Sequence, residues 1–65
     1  MMIKVYRESL GLTQKEMAQK IGISKQSYWN KENGRRKFND KEKKIIRDII
    51  RDYVPNVTID RIFFN

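Results

Sequence analysis

Histidine and cysteine are both missing from this 65-residue chain. Without them the chain cannot form disulfides, Cys/His metal sites, thiol redox centres or the Ser–His and Cys–His pairs that activate nucleophiles. Such bonds and sites often reinforce domains of this size, which bury only about 60% of the surface of the unfolded chain. We therefore expect no catalysis, no metal and no cofactor, and a fold that depends on packed apolar side chains.

Long apolar runs are also absent from the sequence. The N-terminal stretch of Met1, Met2 and Ile3 meets Lys4 at once, far short of a signal-peptide core of roughly 7 residues or a membrane span of roughly 18. A chain shorter than one typical domain of ~150 residues predicts a single domain, residues 1–65. Together with the lack of cysteine, these features predict a cytoplasmic protein.

Acidic residues are outnumbered, because 15 Lys and Arg stand against 8 Asp and Glu and give a formal net charge of +7. Such an excess predicts a polyanionic partner, either nucleic acid or an acidic membrane surface. The excess is localised: residues 23–38 contain five basic residues and one acidic residue, whereas residues 55–65 are neutral.

Three glycines and one proline divide the chain. Gly11, Gly22 and Gly34 each follow a stretch with helical apolar spacing, where the left-handed residue after a helix is expected. The pattern predicts helices over about 2–10, 14–21, 24–33 and 39–53, and a capping box of Thr13 and Glu16 opens the second. Residues 56–65 favour a short helix, although their apolar spacing also fits a strand.

The second and third predicted helices are joined only by Gly22 and Ile23. So tight a connection fits two helices packed at a steep angle, the pattern of a helix-turn-helix over residues 13–34. The run LTQKEMAQKIGIS at 12–24, followed by KENG at 31–34, resembles the lambda-repressor/Cro (Xre-type) family of helix-turn-helix regulators. The resemblance covers residues 3–38 and implies a compact all-α bundle of four to five helices that binds operator DNA, usually as a dimer.

One face of the third helix has the side chains needed to read DNA bases. Helical geometry places Lys25, Gln26, Trp29, Asn30 and Asn33 within one ~140° arc. Glutamine and asparagine can pair with the adenine edge, and lysine can donate to guanine. The resemblance matches Lys25, Gln26 and Asn30 to base-reading positions, with Trp29 next to them. A solvated polar face is the alternative for the arc, and a core or dimer-contact role is the alternative for Trp29.

A second set of residues is predicted to hold DNA phosphates. The candidates are Gln14 at the start of the second helix, Ser24 and Ser27 at the start of the third, Asn33 at its end, and the basic run of Arg35, Arg36 and Lys37. A helix N-terminus favours a phosphate at Gln14, and helix capping is the alternative for Asn33. By resemblance, Arg7 and Glu32 form a partly buried ion pair, so neither is counted as a DNA contact.

Two positions in the third helix depart from the family pattern. Tyr28 and Lys31 stand where the resemblance leads us to expect a smaller aliphatic and another apolar residue. We expect the Tyr28 ring to fill the core with its hydroxyl at the surface, and the Lys31 stem to lie across apolar neighbours.

The C-terminal third contains an amphipathic helix and an apolar tail. Ile45, Ile46, Ile49, Ile50 and Tyr53 fall in one ~140° arc, which predicts a core helix. Its polar face mixes acids with bases, whereas membrane-surface helices favour a basic face. In the tail, residues 56–65, we predict Ile62, Phe63 and Phe64 as dimer contacts. Completion of the monomer core by these three residues is the alternative.

These patterns predict a sequence-specific regulator that binds double-stranded DNA. We expect a small phage- or mobile-element-type Cro or repressor that binds a palindromic operator as a homodimer in the bacterial cytoplasm, with no membrane and no small-molecule substrate. The first alternative is an antitoxin-like module whose C-terminal tail binds another protein. The second is a metal-dependent nuclease, which we disfavour because Glu42, Asp48 and Asp52 are expected on a solvated helix face.

Overall fold

A computed structural model describes residues 1–64. It contains five α-helices: α1 (Ile3–Ser9), α2 (Gln14–Ile21), α3 (Lys25–Glu32), α4 (Asp40–Arg51) and α5 (Ile59–Phe63). No strand occurs within the described residues, so the all-α prediction is confirmed and the tail forms a helix. None of these helices has the length and apolar character needed to cross a membrane.

Reciprocal capping boxes fix where α2 and α4 begin. The Thr13 hydroxyl accepts from the Glu16 backbone N–H at 3.0 Å, and the Glu16 carboxylate accepts from the Thr13 N–H at 2.9 Å. Asn39 and Glu42 make the same exchange at 2.8 and 2.9 Å. At the other end of α2, Gly22 has a φ of 78°, a left-handed conformation that favours glycine. The chain therefore turns directly into α3.

The core draws side chains from all five helices. Those without appreciable exposure are Ile3, Met17, Tyr28, Ile46, Ile50 and Ile62. Phe38, in the segment between α3 and α4, packs edge-on against the Tyr28 ring at 5.9 Å between centroids and lies 5.4 Å from the Phe63 ring. Aromatic pairs of this kind contribute about 0.5–1.5 kcal/mol beyond their buried area, so Phe38 holds the α3–α4 segment against the tail.

The structure corrects the prediction that Ile62 and Phe63 contact a second subunit. Their exposed fractions are 0% and 5%, because both complete the core of the single chain. The Met2 N–H also donates to the Ile62 carbonyl at 2.8 Å and ties the N-terminus to α5. Of the three predicted contacts, Phe64 alone stays exposed, at 64%. Tyr53, predicted to face the core, lies beyond the end of α4 and is 71% exposed.

Glu32, at the end of α3, accepts four hydrogen bonds. They come from Arg7 Nε at 2.9 Å, Arg7 Nη2 at 3.0 Å, Gln14 Nε2 at 3.1 Å and the Tyr28 hydroxyl. Arg7 Nη1 donates in addition to the Leu12 carbonyl at 2.7 Å. We call Arg7, Gln14, Tyr28 and Glu32 the Glu32 cluster. It confirms the predicted Arg7–Glu32 ion pair, and it corrects the expectation for Tyr28, whose hydroxyl bonds inside the protein.

Within the Glu32 cluster, the buried charges of Arg7 and Glu32 neutralise each other. The side chains of Arg7 and Glu32 are 8% and 3% exposed. Burial raises the pKa of Glu32, but the hydrogen bonds from Arg7, Tyr28 and Gln14 outweigh it and hold the pKa below its ordinary value of 4.5. Burial and the bond to Glu32 raise the pKa of the Tyr28 hydroxyl. The carboxylate is therefore ionised and the phenol protonated at neutral pH.

A second ion pair joins α3 to α4. Lys31 Nζ donates to both oxygens of Glu42, at 2.7 and 2.6 Å, and both side chains are largely buried. Burial raises the pKa of Glu42, but the bonds from Lys31 and from the Asn39 backbone lower it below the ordinary value. Glu42 is thus a structural residue, which corrects the expectation that it lies on a solvated face.

We predict that acid destabilises the fold through these two carboxylates. Because the pKa values of Glu32 and Glu42 are lower in the folded chain than their ordinary value of 4.5, the unfolded chain takes up protons first as the pH falls. Their contribution to the free energy of unfolding is complete above about pH 5 and disappears as the pH falls through the folded pKa values. Urea denaturation between pH 3 and pH 7 measures this dependence.

Glu32→Gln should lower the free energy of unfolding by about 3 kcal/mol at pH 7, because it leaves the Arg7 charge buried without its partner. The difference from the wild type should shrink as the pH falls below 4.5, where the unfolded wild-type chain takes up the proton, and should be smallest below the lowered pKa of the folded carboxyl. The exposed residue Glu8 supplies the matched control, and Glu8→Gln should change stability by less than about 0.5 kcal/mol. Equal losses for the two variants would contradict the role given to the Glu32 cluster.

Candidate nucleic-acid interface

The outward face of α3 displays all four residues predicted to read bases. We call Lys25, Gln26, Trp29 and Asn30 the reading face. Lys25 and Gln26 are exposed, Asn30 is half-buried and Trp29 is 36% exposed. On the opposite side of the same helix, Tyr28 is fully buried and Glu32 bonds to α1 and α2. The inward contacts fix the helix, so its outward side chains are presented from a rigid support.

Two amide side chains lie together on the reading face. Gln26 Nε2 donates to Asn30 Oδ1 at 3.4 Å, one helical turn away. The bond is long and exposed, so a stronger partner can replace it. Each amide can then offer a donor and an acceptor to an adenine edge.

Trp29 takes part in a contact that the sequence did not predict. The guanidinium carbon of Arg35 lies 5.1 Å from the centre of the indole ring, within the range of a cation–π interaction. Gly34, with a φ of 79°, reverses the chain after α3, and the Arg35 N–H donates to the Asn30 carbonyl at 2.8 Å. Trp29 therefore lies outside the core, which removes one of its alternative roles.

The residues that follow α3 form a basic loop, which we define as Arg35, Arg36 and Lys37. All three are exposed. The backbone N–H of Arg36, at 3.3 Å, shares the Asn30 carbonyl with that of Arg35. The loop is therefore fastened to the last turn of α3 by its backbone, and its side chains remain available to a ligand.

Gln14 belongs both to the Glu32 cluster and to the reading side of the molecule. Its Nε2 donates to Glu32, and the half-buried side chain lines one shallow cleft together with Lys25, Gln26 and Trp29. The structure thus brings the start of α2 beside the reading face. A phosphate at the start of α2 would meet free backbone N–H groups and the positive end of the helix dipole.

Two of the three remaining phosphate candidates, Ser24 and Asn33, cap α3 with their side chains. The Ser24 hydroxyl accepts from the Ser27 N–H at 3.0 Å, and Asn33 Nδ2 donates to the Trp29 carbonyl at 2.9 Å. The capping alternative for Asn33 is therefore observed. Ser24 and Asn33 are exposed and Ser27 is half-buried, so all three side chains remain within reach of solvent.

Few acidic side chains are available to neutralise the positive charge on this side of the molecule. The one acidic residue among residues 23–38 is Glu32, and its side chain is 3% exposed and bonded to Arg7. Lys31, one of the five basic residues of this segment, is also neutralised internally by Glu42. The exposed cations are consequently Lys25 and the basic loop.

Helical periodicity indicates which positions of α3 face outward, but two links that hold them have no signal of this kind. The Lys31–Glu42 pair spans 11 residues, and neither helical periodicity nor a capping pattern connects its two ends. Arg35 lies beyond the end of α3, so its place over Trp29 depends on the turn at Gly34. No signal in the sequence specifies that stacking.

A family model described as Helix-turn-helix matches residues 3–42 of the chain. The match runs from α1 into the first turn of α4 and includes the whole reading face and the basic loop. It covers well over half of the 65 residues. Neither a curated protein nor a solved structure matches the chain.

We predict that Arg35 shields Trp29, the one tryptophan of the chain. Arg35→Ala should increase the quenching of tryptophan fluorescence by acrylamide, because one face of the indole loses its cover. Arg36→Ala is the matched control and should leave the quenching unchanged. Because exposed cation–π contacts contribute about 0.5–1 kcal/mol, neither variant should lose more than about 1 kcal/mol of stability. Equal quenching in both variants would show that the stacking does not persist in solution.

Proposed function

The chain belongs to the lambda repressor-like (Xre-type) helix-turn-helix family of DNA-binding regulators, and we propose that it is a small repressor of the phage or mobile-element type. In this proposal it binds a palindromic operator as a homodimer in the bacterial cytoplasm. Occupancy of the operator excludes other proteins from the same DNA, so the function requires no chemical step.

The observation that carries the proposal is the division of α3 into two faces. Tyr28, Lys31 and Glu32 are engaged within the protein. Lys25, Gln26 and Trp29 are exposed, and none of them has a bond to the core. A helix fixed on one side and polar on the other fits the major groove, which is about 12 Å wide.

Each side chain of the reading face has a matching base edge. Gln26 and Asn30 suit the N6 and N7 positions of adenine, and Lys25 suits O6 and N7 of guanine. Trp29 offers apolar surface to a thymine methyl group. Good contacts of this kind discriminate against a wrong base by about 1–3 kcal/mol.

Phosphates on either side of the groove would fix the position of α3. Gln14 at the start of α2 would hold one phosphate and the basic loop would hold others, with support from Ser24, Ser27 and Asn33. These contacts supply affinity without sequence information. Two copies would read half-sites one helical turn apart, ~34 Å from centre to centre.

We predict that in-vitro selection of DNA with the full chain will enrich a palindromic site. Gln26→Ala and Asn30→Ala should each relax the preference at particular base positions by roughly 1–3 kcal/mol. Gln19→Ala, at an exposed glutamine of α2, is the matched control and should retain the selected sequence. If the two α3 variants weaken binding to every sequence equally, the reading face has been assigned incorrectly.

The salt dependence of binding tests the basic loop separately. Arg36→Gln and Lys37→Gln should each reduce the slope of log affinity against log salt concentration by ~0.9, because each phosphate contact releases counterions. The base preference should stay the same. Lys44→Gln, at an exposed lysine of α4, should leave the slope unchanged. A uniform reduction in all three variants would indicate a general effect of net charge and no specific phosphate contact by the loop.

A further inference from the structure

An apolar groove of about 270 Å³ opens beside α5, next to the basic loop. Phe63 and Phe64 of the tail and Met1 of the N-terminus line it. Phe64 and Met1 are 64% and 50% exposed, although their large apolar side chains gain most from leaving water. Exposed apolar residues that adjoin in this way are typical of an association surface.

Three cations also line the groove: Arg36, Lys37 and Lys43. Lys43 Nζ lies 4.5 Å from the centre of the Phe64 ring and 5.8 Å from that of Phe63. Within residues 1–64, no acidic side chain lines the groove. We call this surface, formed by Met1, Phe63, Phe64 and the three cations, the tail groove.

Its charge and size restrict what the tail groove can bind. A symmetric contact between two copies would place the same patch on both sides and gather two sets of cations, and such like-charge contacts cost several kcal/mol. DNA phosphates would match the cations but leave the aromatic rings in water. Small-molecule pockets usually enclose about 300–1,000 Å³, which exceeds this volume. An acidic protein segment with an apolar side chain would both pair with the cations and cover the aromatic rings.

We propose that the tail groove binds a peptide segment of another protein, in which a large apolar side chain is flanked by Asp or Glu. The apolar side chain enters between Met1 and Phe64, while the carboxylates pair with Lys43 and with the basic loop. Opposite charges on the two partners also speed their encounter.

Such binding would oppose DNA binding, a consequence that rests on the proposed function. Arg36 and Lys37 line the tail groove and are also proposed to hold DNA phosphates. An acidic segment that pairs with them removes those contacts and adds negative charge beside the DNA. The partner would therefore release the regulator from its operator.

A selection experiment with the full chain tests the groove without DNA. A displayed library of random peptides should yield sequences that combine Phe, Leu or Trp with neighbouring Asp or Glu. The best selected peptide, labelled for fluorescence polarisation, should bind Phe64→Ser about tenfold more weakly, the effect of losing roughly 1.4 kcal/mol at a buried contact. Lys43→Gln should also weaken it, by about threefold.

Matched variants separate the groove from general attraction to a basic protein. Tyr53→Ser removes another exposed aromatic residue, and Lys44→Gln removes the neighbouring cation. Both should bind the peptide within twofold of the wild type, and circular dichroism should show that all four variants are folded. The proposal would be overturned if the library yields no enriched peptide, or if the enriched peptides lack acidic residues. Equal binding of the peptide by Phe64→Ser and Tyr53→Ser would also overturn it.

Two further measurements distinguish the other outcomes. Light scattering that shows a dimer lost in Phe64→Ser would assign the groove to a second copy and overturn the proposal.

In the DNA assay, the unlabelled peptide should displace the wild type from its selected site, whereas Phe64→Ser should resist displacement. Peptide binding by a chain that selects no DNA would overturn the proposed function alone. Specific DNA binding, together with peptides that bind Phe64→Ser as tightly as the wild type, would overturn the proposal for the groove alone.

Discussion

The buried carboxylate of Glu32 constrains the whole helix-turn-helix. Its four hydrogen bonds come from α1, α2 and α3 itself, and Arg7 extends the network to the α1–α2 connection at Leu12. An unpaired charge at this depth would be strongly unfavourable, so the three helices must keep the arrangement that satisfies it. The network therefore fixes the direction in which α3 presents its outer face.

This dependence on charge follows from the composition of α3. Tyr28 is the one apolar side chain of that helix that is buried in the core, so little apolar area holds α3 to the rest of the domain. Lys31 and Glu32 supply the missing attachment, one to α4 and the other to α1 and α2. A helix with so polar a sequence can stay at the surface in a fixed orientation because directional ion pairs hold it to the domain, as apolar contacts hold the other helices.

Local patterns allowed most of the fold to be predicted. Capping residues and left-handed glycines act within a few residues, so the starts of α2, α3 and α4 were predicted to within one residue. The pairing of Lys31 with Glu42 and the stacking of Arg35 on Trp29 depend on how separate segments meet, and no periodicity encodes that. The choice between the two roles left open for Ile62 and Phe63 could not be predicted for the same reason: their burial depends on how much core surface α1 and α4 leave to be covered. For the candidate site, the sequence indicated which side chains share a face. It did not indicate that Gln14 is bound to the core.

The separation between the two faces of α3 also has an evolutionary consequence. Lys25, Gln26 and Trp29 form no bond to the core, and substitutions at exposed positions of this kind usually change stability by less than about 0.5 kcal/mol. Mutation can therefore explore new side chains on the outer face while the Glu32 cluster keeps the helix in place. If the proposed function holds, a lineage that carries this domain can acquire new target sequences in single steps, without passing through unfolded intermediates.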